Sequence, residues 1–278
     1  MEQYDQVAAQ TARLVTNSYS SSFGLATRLF PLTIRGDIYN IYGLVRLADE
    51  IVDTYLGNDA RVQLDDLEKE VYRALEHHYS TNLIVHAFQL TASRYDIDKA
   101  LIAPFFYSMR LDTEPHKYDQ ALYARYIDGS AEVVGLMCLK VFVASPDEYS
   151  HLEPGARALG DAFQKVKFLR DLAANQTELK RCYIPGMTFK TFNEADKAKI
   201  ISDIKNDFAI AQHAIPQLPK SARPAVSAAY SYYSRLLHRL EVTSVATLKQ
   251  KRVRINNGVK LVLLGRIMVK RQLSRIKI

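Results

Sequence analysis

The chain has 278 residues, of which 48% are hydrophobic and 24% charged, with a net charge of +7. Those values exclude a disordered or fibrous protein, and 11 Gly with 9 Pro over this length argue against a many-stranded β fold. Two cysteines, Cys138 and Cys182, are too few for a disulfide framework or a four-thiolate zinc site, so a reduced, cytoplasmic setting is expected.

Residues Met1 to Gln10 carry Glu2 and Asp5 and no apolar core, which is unlike a signal peptide. From there helical periodicity recurs almost throughout. It predicts helices over Tyr4–Ser18, Leu32–Tyr55, Arg61–Tyr79, Asn82–Arg94, Lys99–Met109, Tyr118–Ala144, Glu153–Asn175, Glu194–Ala214, Ala222–Leu240 and Asn257–Ser274. Pro31, Pro104, Pro115, Pro146, Pro154, Pro185 and Pro216 are expected at element starts or in connections, where a missing amide is tolerated. No Gly/Ser/Pro linker, internal repeat or sustained β alternation interrupts the pattern. The expectation is one all-α domain over residues 1–278, a bundle of about ten helices, with the basic segment 242–278 as part of it.

The charge is uneven. Beyond Glu241 there is no acidic residue, while ten Lys and Arg follow, from Lys249 to Lys277. Residues 259–269 form an apolar run that Arg266 interrupts, far short of the ~20 apolar residues of a membrane span. A terminal helix docked on the core is the first expectation. Contact with an anionic membrane surface is an added role. Nucleic acid is not an expected partner, since the tail carries no recognised binding motif.

Two segments hold candidate chemistry. In the first, Arg46 to Asp53, the carboxylates of Asp49 and Asp53 are four residues apart and share a face of a mostly apolar helix. They would repel each other unless a cation sat between them, and hard oxygen ligands suit Mg²⁺. A plain solvated acidic face has the same pattern. In the second, Gln164, Lys167, Asp171 and Asn175 share a polar face of an otherwise apolar helix. Asp171 and Asn175 offer oxygens to a metal, and Arg170 suits a phosphate. The competing reading is a surface salt bridge between Lys167 and Asp171.

Together these segments resemble the squalene/phytoene synthase family of head-to-head prenyl transferases. Ser20-Ser21-Ser22-Phe23 followed by Pro31 looks like the family's opening segment. Tyr42 to Asp53 is similar to its first Asp-rich motif, and Gln164 to Asn175 to its second. Tyr126, Gly129-Ser130-Ala131 and Val133 to Met137 look like the segment lining the prenyl tunnel, Arg181-Cys182-Tyr183-Ile184-Pro185 like the Arg-x-Tyr-x-Pro that follows, and Arg252 to Ile255 like a basic segment before the last helix. Phe168-Leu169-Arg170-Asp171 and its spacing to Arg181 look most like the bacterial phytoene synthase branch.

The resemblance implies an all-α isoprenoid synthase fold around a central cavity. It implies condensation of two prenyl diphosphates through a cyclopropyl diphosphate with Mg²⁺, or Mn²⁺ in its place, and without NADPH. Asp49, Asp53, Asp171 and Asn175 would bind metal. Arg46, Arg170 and Arg252 would hold diphosphate oxygens, with Ser21 and Ser22 as donors and Gln164 in the cavity. Phe23, Tyr42, Tyr126, Val134, Leu136, Met137 and Tyr233 would line the tunnel, or else pack as ordinary core. Two positions depart from the family: Lys167 stands where Asn is usual and Asn175 where Asp is usual. Lys167 would then either pair with Asp171 or replace a metal ion by touching diphosphate. Geranylgeranyl diphosphate is the expected substrate. Farnesyl diphosphate, as used by squalene or dehydrosqualene synthases, is the alternative, and a non-catalytic membrane-associated scaffold the second.

Overall fold

The computed structural model describes residues 1–55, 57–177, 181 and 183–255, with the side chains of 21–23 and 175–177 left out. The expected helix over Asn257–Ser274 and most of the basic tail lie outside the described residues, as do Cys182 and the side chains of Ser21, Ser22, Phe23 and Asn175. The described residues form α-helices without a strand: α1 (Glu2–Tyr19), α2 (Ser21–Thr27), α3 (Leu32–Asp53), α4 (Ala60–His77), α5 (Leu83–Arg94), α6 (Lys99–Leu111), α7 (Gln120–Ile127), α8 (Val133–Phe142), α9 (Pro146–Arg170), α10 (Leu172–Thr177), α11 (Glu194–Ala214), α12 (Arg223–Val242) and α13 (Val245–Leu248). None of them is long and apolar enough to cross a membrane.

Local chemistry sets several of the starts. Asn82, Asp98, Asp119, Ser145 and Asn193 each accept a hydrogen bond from a backbone N–H in the first turn that follows, which satisfies donors a helix leaves open. Asn193 and Asp196 form a reciprocal capping box ahead of α11. Ser145 followed by Pro146 starts α9 seven residues before Glu153, the expected start.

The expectation that prolines mark boundaries fails at two positions. Pro104 lies inside α6 and Pro154 inside α9. Each removes one helical hydrogen bond, yet both helices are held by packing. The continuous helix expected over Tyr118–Ala144 is also broken. It starts after Tyr118 and is interrupted by a π turn, Asp128–Glu132, between α7 and α8. Gly129 in that turn lies so close to α6 that a Cβ there would sit 2.0 Å from the Pro104 carbonyl oxygen and 2.2 Å from Ser108 Oγ. Gly129→Ala is therefore expected to cost about 3 kcal/mol through overpacking against backbone. Chemical denaturation measures it, and a loss below about 1 kcal/mol would contradict the close approach.

One core joins α3, α4, α5, α6 and α8 around Ile38, Leu44, Leu64, Phe88, Phe105, Phe106 and Leu136. A second joins α9, α11, α12 and α13 around Val166, Leu169, Ile204 and Leu236. The second carries a buried cation. Lys165, only 8% exposed, pairs with Asp161 on its own helix (2.9 Å) and with Asp203 and Asp207 (2.9 Å) on α11. Burial works against its charge, but the three carboxylates outweigh that and raise its pKa. Burial in turn pushes Asp161 up to about 6, although Lys165 pulls it back.

Candidate active site

The inward face of α3 opens on a polar cavity of about 160 Å³. Asp49 and Asp53 line it, as their spacing predicts, together with Asp112 just beyond α6, Tyr126 from α7, Ser130 from the π turn, Gln164, Lys167 and Phe168 from α9, and Tyr183. Ser130, Gln164 and Lys167 also line an apolar cavity of about 270 Å³ between α8, α9, α11 and α12. Those three residues stand where the two cavities meet. Gln164 Nε2 donates to Ser130 Oγ at 3.3 Å across that junction. Val134, Phe163 and Tyr233 belong to the apolar wall, where Phe163 and Tyr233 stack at 4.0 Å.

Charge is closely arranged around the polar cavity. Arg181 donates to Asp53 Oδ1, the Val52 carbonyl and the Asp112 carbonyl, each at 2.6 Å. Asp112, 6% exposed, accepts from Tyr126 Oη at 2.6 Å and Tyr183 Oη at 2.9 Å. Tyr118, Tyr126, Phe168 and Tyr183 pack into one aromatic cluster there. Asp171 is held by Arg170, at 3.0 and 2.6 Å, and by Arg252, whose Nε lies 2.6 Å from Oδ1. Arg46 pairs with Glu50, lies 3.7 Å from Asp49, and covers the Tyr19 ring at 4.3 Å.

Burial raises the pKa of Asp49, Lys167 pulls it back and Asp53 pushes it further up. Lys167 is half-buried and feels the field of Asp49, Asp53, Asp112 and Asp171. Burial opposes its charge, but the four carboxylates prevail, so it stays an ammonium. Burial pushes Asp112 up to about 6, against the pull of Arg181 and the two tyrosine hydroxyls. A carboxyl raised from 3.8 to about 6 on folding binds its proton more tightly in the folded chain between those values. Stability from this group is therefore lost as pH rises through that window, by about 3 kcal/mol. Asp112→Asn is expected to flatten that part of the slope in denaturation curves taken between about pH 4 and 7. An unchanged slope would sink the assignment.

The structure brings some of the predicted site residues together and places others elsewhere. Asp49, Asp53, Gln164 and Lys167 share the polar cavity, with Val134 and Tyr233 on the apolar wall. Tyr126 is part of the acidic pocket and not of the apolar wall. Leu136 and Met137 face the core, each 1% exposed, because the residues three, four and seven beyond Ala131, namely Val134, Gly135 and Cys138, take the cavity side. Tyr42 is half-buried beside Ser20, Asp49, Arg46 and Tyr233. Arg46, Arg170 and Arg252 hold carboxylates rather than lining the cavity. The salt bridge between Lys167 and Asp171 is absent, because arginines take both oxygens of Asp171. Asp112 and the triple grip of Arg181 were not legible. Arg181 stands 128 residues from Asp53, and a lone Asp closing a helix gives no signal of its own.

An all-α bundle enclosing an apolar cavity with an acidic mouth is the architecture of the isoprenoid synthases. The backbone superposes on a crystal structure of a dehydrosqualene synthase with TM-score 0.83 and 19% identity, over 97% of this chain and 98% of that one. A sequence profile of the squalene/phytoene synthase family matches residues 16–258, and the chain belongs to that family. It is 29% identical over 178 residues to the 15-cis-phytoene synthase of Paracoccus sp. (strain N81106 / MBIC 01143), which is 60% of this chain and 56% of that protein. It is 26% identical over 261 residues to the phytoene synthase of Arthrospira platensis, covering 84% and 83%. These relatives are prenyl transferases.

Proposed function

We propose that the chain condenses two geranylgeranyl diphosphates head to head into phytoene, through a cyclopropyl diphosphate. The junction carries this reading: a cavity walled by apolar side chains meets, at Ser130, Gln164 and Lys167, a pocket rich in fixed charge. When the C1–O bond of a prenyl diphosphate breaks, the electron pair leaves with the diphosphate and an allylic cation remains. Cations near the polar pocket stabilise the departing charge, while the wall around Val134, Phe163 and Tyr233 keeps water from the carbocation.

The α3 side suits a divalent cation. Asp49 and Asp53 offer carboxylate oxygens from one face into the polar cavity, and Arg181 must release Asp53 to free the second. Mg²⁺ held there would polarise diphosphate oxygens. The α9 side does not suit one. Asp171 is taken by two arginines and Lys167 brings its own charge. Among the described residues no group of three or more His, Cys, Asp or Glu side chains is placed to hold a metal.

The test is incubation of the purified chain with Mg²⁺ and geranylgeranyl or farnesyl diphosphate, with and without NADPH, followed by extraction. A C40 hydrocarbon without NADPH is expected. A C30 product would assign it instead to farnesyl diphosphate, the reading that the likeness in fold to a dehydrosqualene synthase favours. No released diphosphate would leave the scaffold reading. The basic residues beyond Glu241 predict binding to anionic vesicles, and sedimentation without binding would remove that expectation.

A further inference from the structure

Lys167 has an unusual place among the charged groups of the site. Asp53 is paired with Arg181, Asp171 with Arg170 and Arg252, and Asp112 with two tyrosine hydroxyls. Among the described residues Lys167 has neither a hydrogen bond nor an ion pair. Its ammonium has three N–H donors and no acceptor. The side chain borders both cavities, so it stands where hydrocarbon gives way to charged head group. Asp171, four residues on, is the C-cap that ends α9, within the field of Lys167, so a divalent cation at Asp171 would sit near a fixed positive charge.

We propose that Lys167 takes the place of a divalent cation on the α9 side: its ammonium contacts the diphosphate directly, and Asp171 remains an arginine partner instead of a metal ligand. The inference rests on the reading of this pocket as a prenyl diphosphate site. Lys167 is then a catalytic residue that meets the charge left on the diphosphate oxygen as the C1–O bond breaks. No proton is transferred, because the ammonium only donates hydrogen bonds to an oxygen that already holds the electron pair.

The consequence is that diphosphate recognition is partly independent of metal. Calorimetric titration of the full chain with inorganic pyrophosphate in EDTA is expected to show binding. Lys167→Asn is expected to weaken it by about 10- to 100-fold, the loss of one charge-assisted hydrogen bond. Manganese titration followed by electron paramagnetic resonance, with pyrophosphate present, is expected to give a single Mn²⁺ per chain, abolished by Asp49→Asn. A wild-type chain that binds no pyrophosphate in EDTA, or takes up two or more Mn²⁺, overturns the proposal. So does K167N binding pyrophosphate as tightly as the wild type. Should K167N fail to fold, the two wild-type measurements still decide. The two readings fail separately. A chain that makes hydrocarbon but behaves like K167N in EDTA loses only the role of Lys167. A chain that binds pyrophosphate under neither condition and consumes no prenyl diphosphate loses the function as well.

Discussion

Asp49→Asn is expected to slow consumption of prenyl diphosphate by about 10²- to 10³-fold, the range seen when one preorganised charge-stabilising group is removed from an active site. The residue lines the polar cavity from α3, within the field of Lys167. Burial already disfavours its charge, and Asp53 adds to that. Removing the charge should therefore leave the fold at least as stable, even as the chemistry fails. A loss of rate with no loss of thermal stability separates a functional carboxylate from a structural one. Timed extraction of product and a thermal melt on the same preparation give both numbers. A variant within threefold of wild type in rate would remove Asp49 from the machinery. Asp53→Asn should behave differently, because it also releases Arg181, which bonds to the Val52 and Asp112 carbonyls as well.

The largest loss of stability is expected at Lys165→Met, about 3–5 kcal/mol, the cost of stripping the counter-charge from a buried ion cluster. Asp161, Asp203 and Asp207 converge on this single ammonium from α9 and α11. Without it, three carboxylates face each other across a helix interface, two of them largely withdrawn from water, at 19% and 15% exposure. Adding Asp207→Asn to Lys165→Met should recover part of the loss, since the two changes act on one contact and are not additive. Urea denaturation of the single and double variants measures the coupling. A Lys165→Met chain within 1 kcal/mol of wild type would show that the cluster does not hold the two helices together.

What could be read from the sequence follows the range of the interactions involved. The facing carboxylates of Asp49 and Asp53 were legible because four-residue spacing on a helix is a local fact. So was the end of α5 at Arg94, and α11 in full, because caps and periodicity are local as well. The π turn was not, since it depends on Gly129 meeting a carbonyl of α6 more than twenty residues away. Pro154 read as a boundary because proline disfavours helix interiors, and only the packing of α9 on α8 and α11 overrides that. The arginine grips on Asp171 and Asp53 cross 81 and 128 residues. In the sequence Asp171 had a neighbour of opposite charge at Lys167, and nothing local said that a distant arginine would take its place.

The π turn also sets how this protein can change over evolutionary time. Residues on α7 and α8 keep their orientation toward the two cavities only while Asp128–Glu132 retains its length. Deleting one residue there would turn α8 by about 100° relative to α7, carrying Val134 and Cys138 off the cavity wall. Insertions and deletions cannot accumulate along this stretch, and neither can side chains at Gly129. The connection after α3 behaves in the opposite way: Thr54 and Tyr55 are exposed, and extra residues there would disturb no wall of either cavity. Descendants of this chain should therefore vary in length at the tip between α3 and α4 and hold a fixed count from Tyr126 to Cys138.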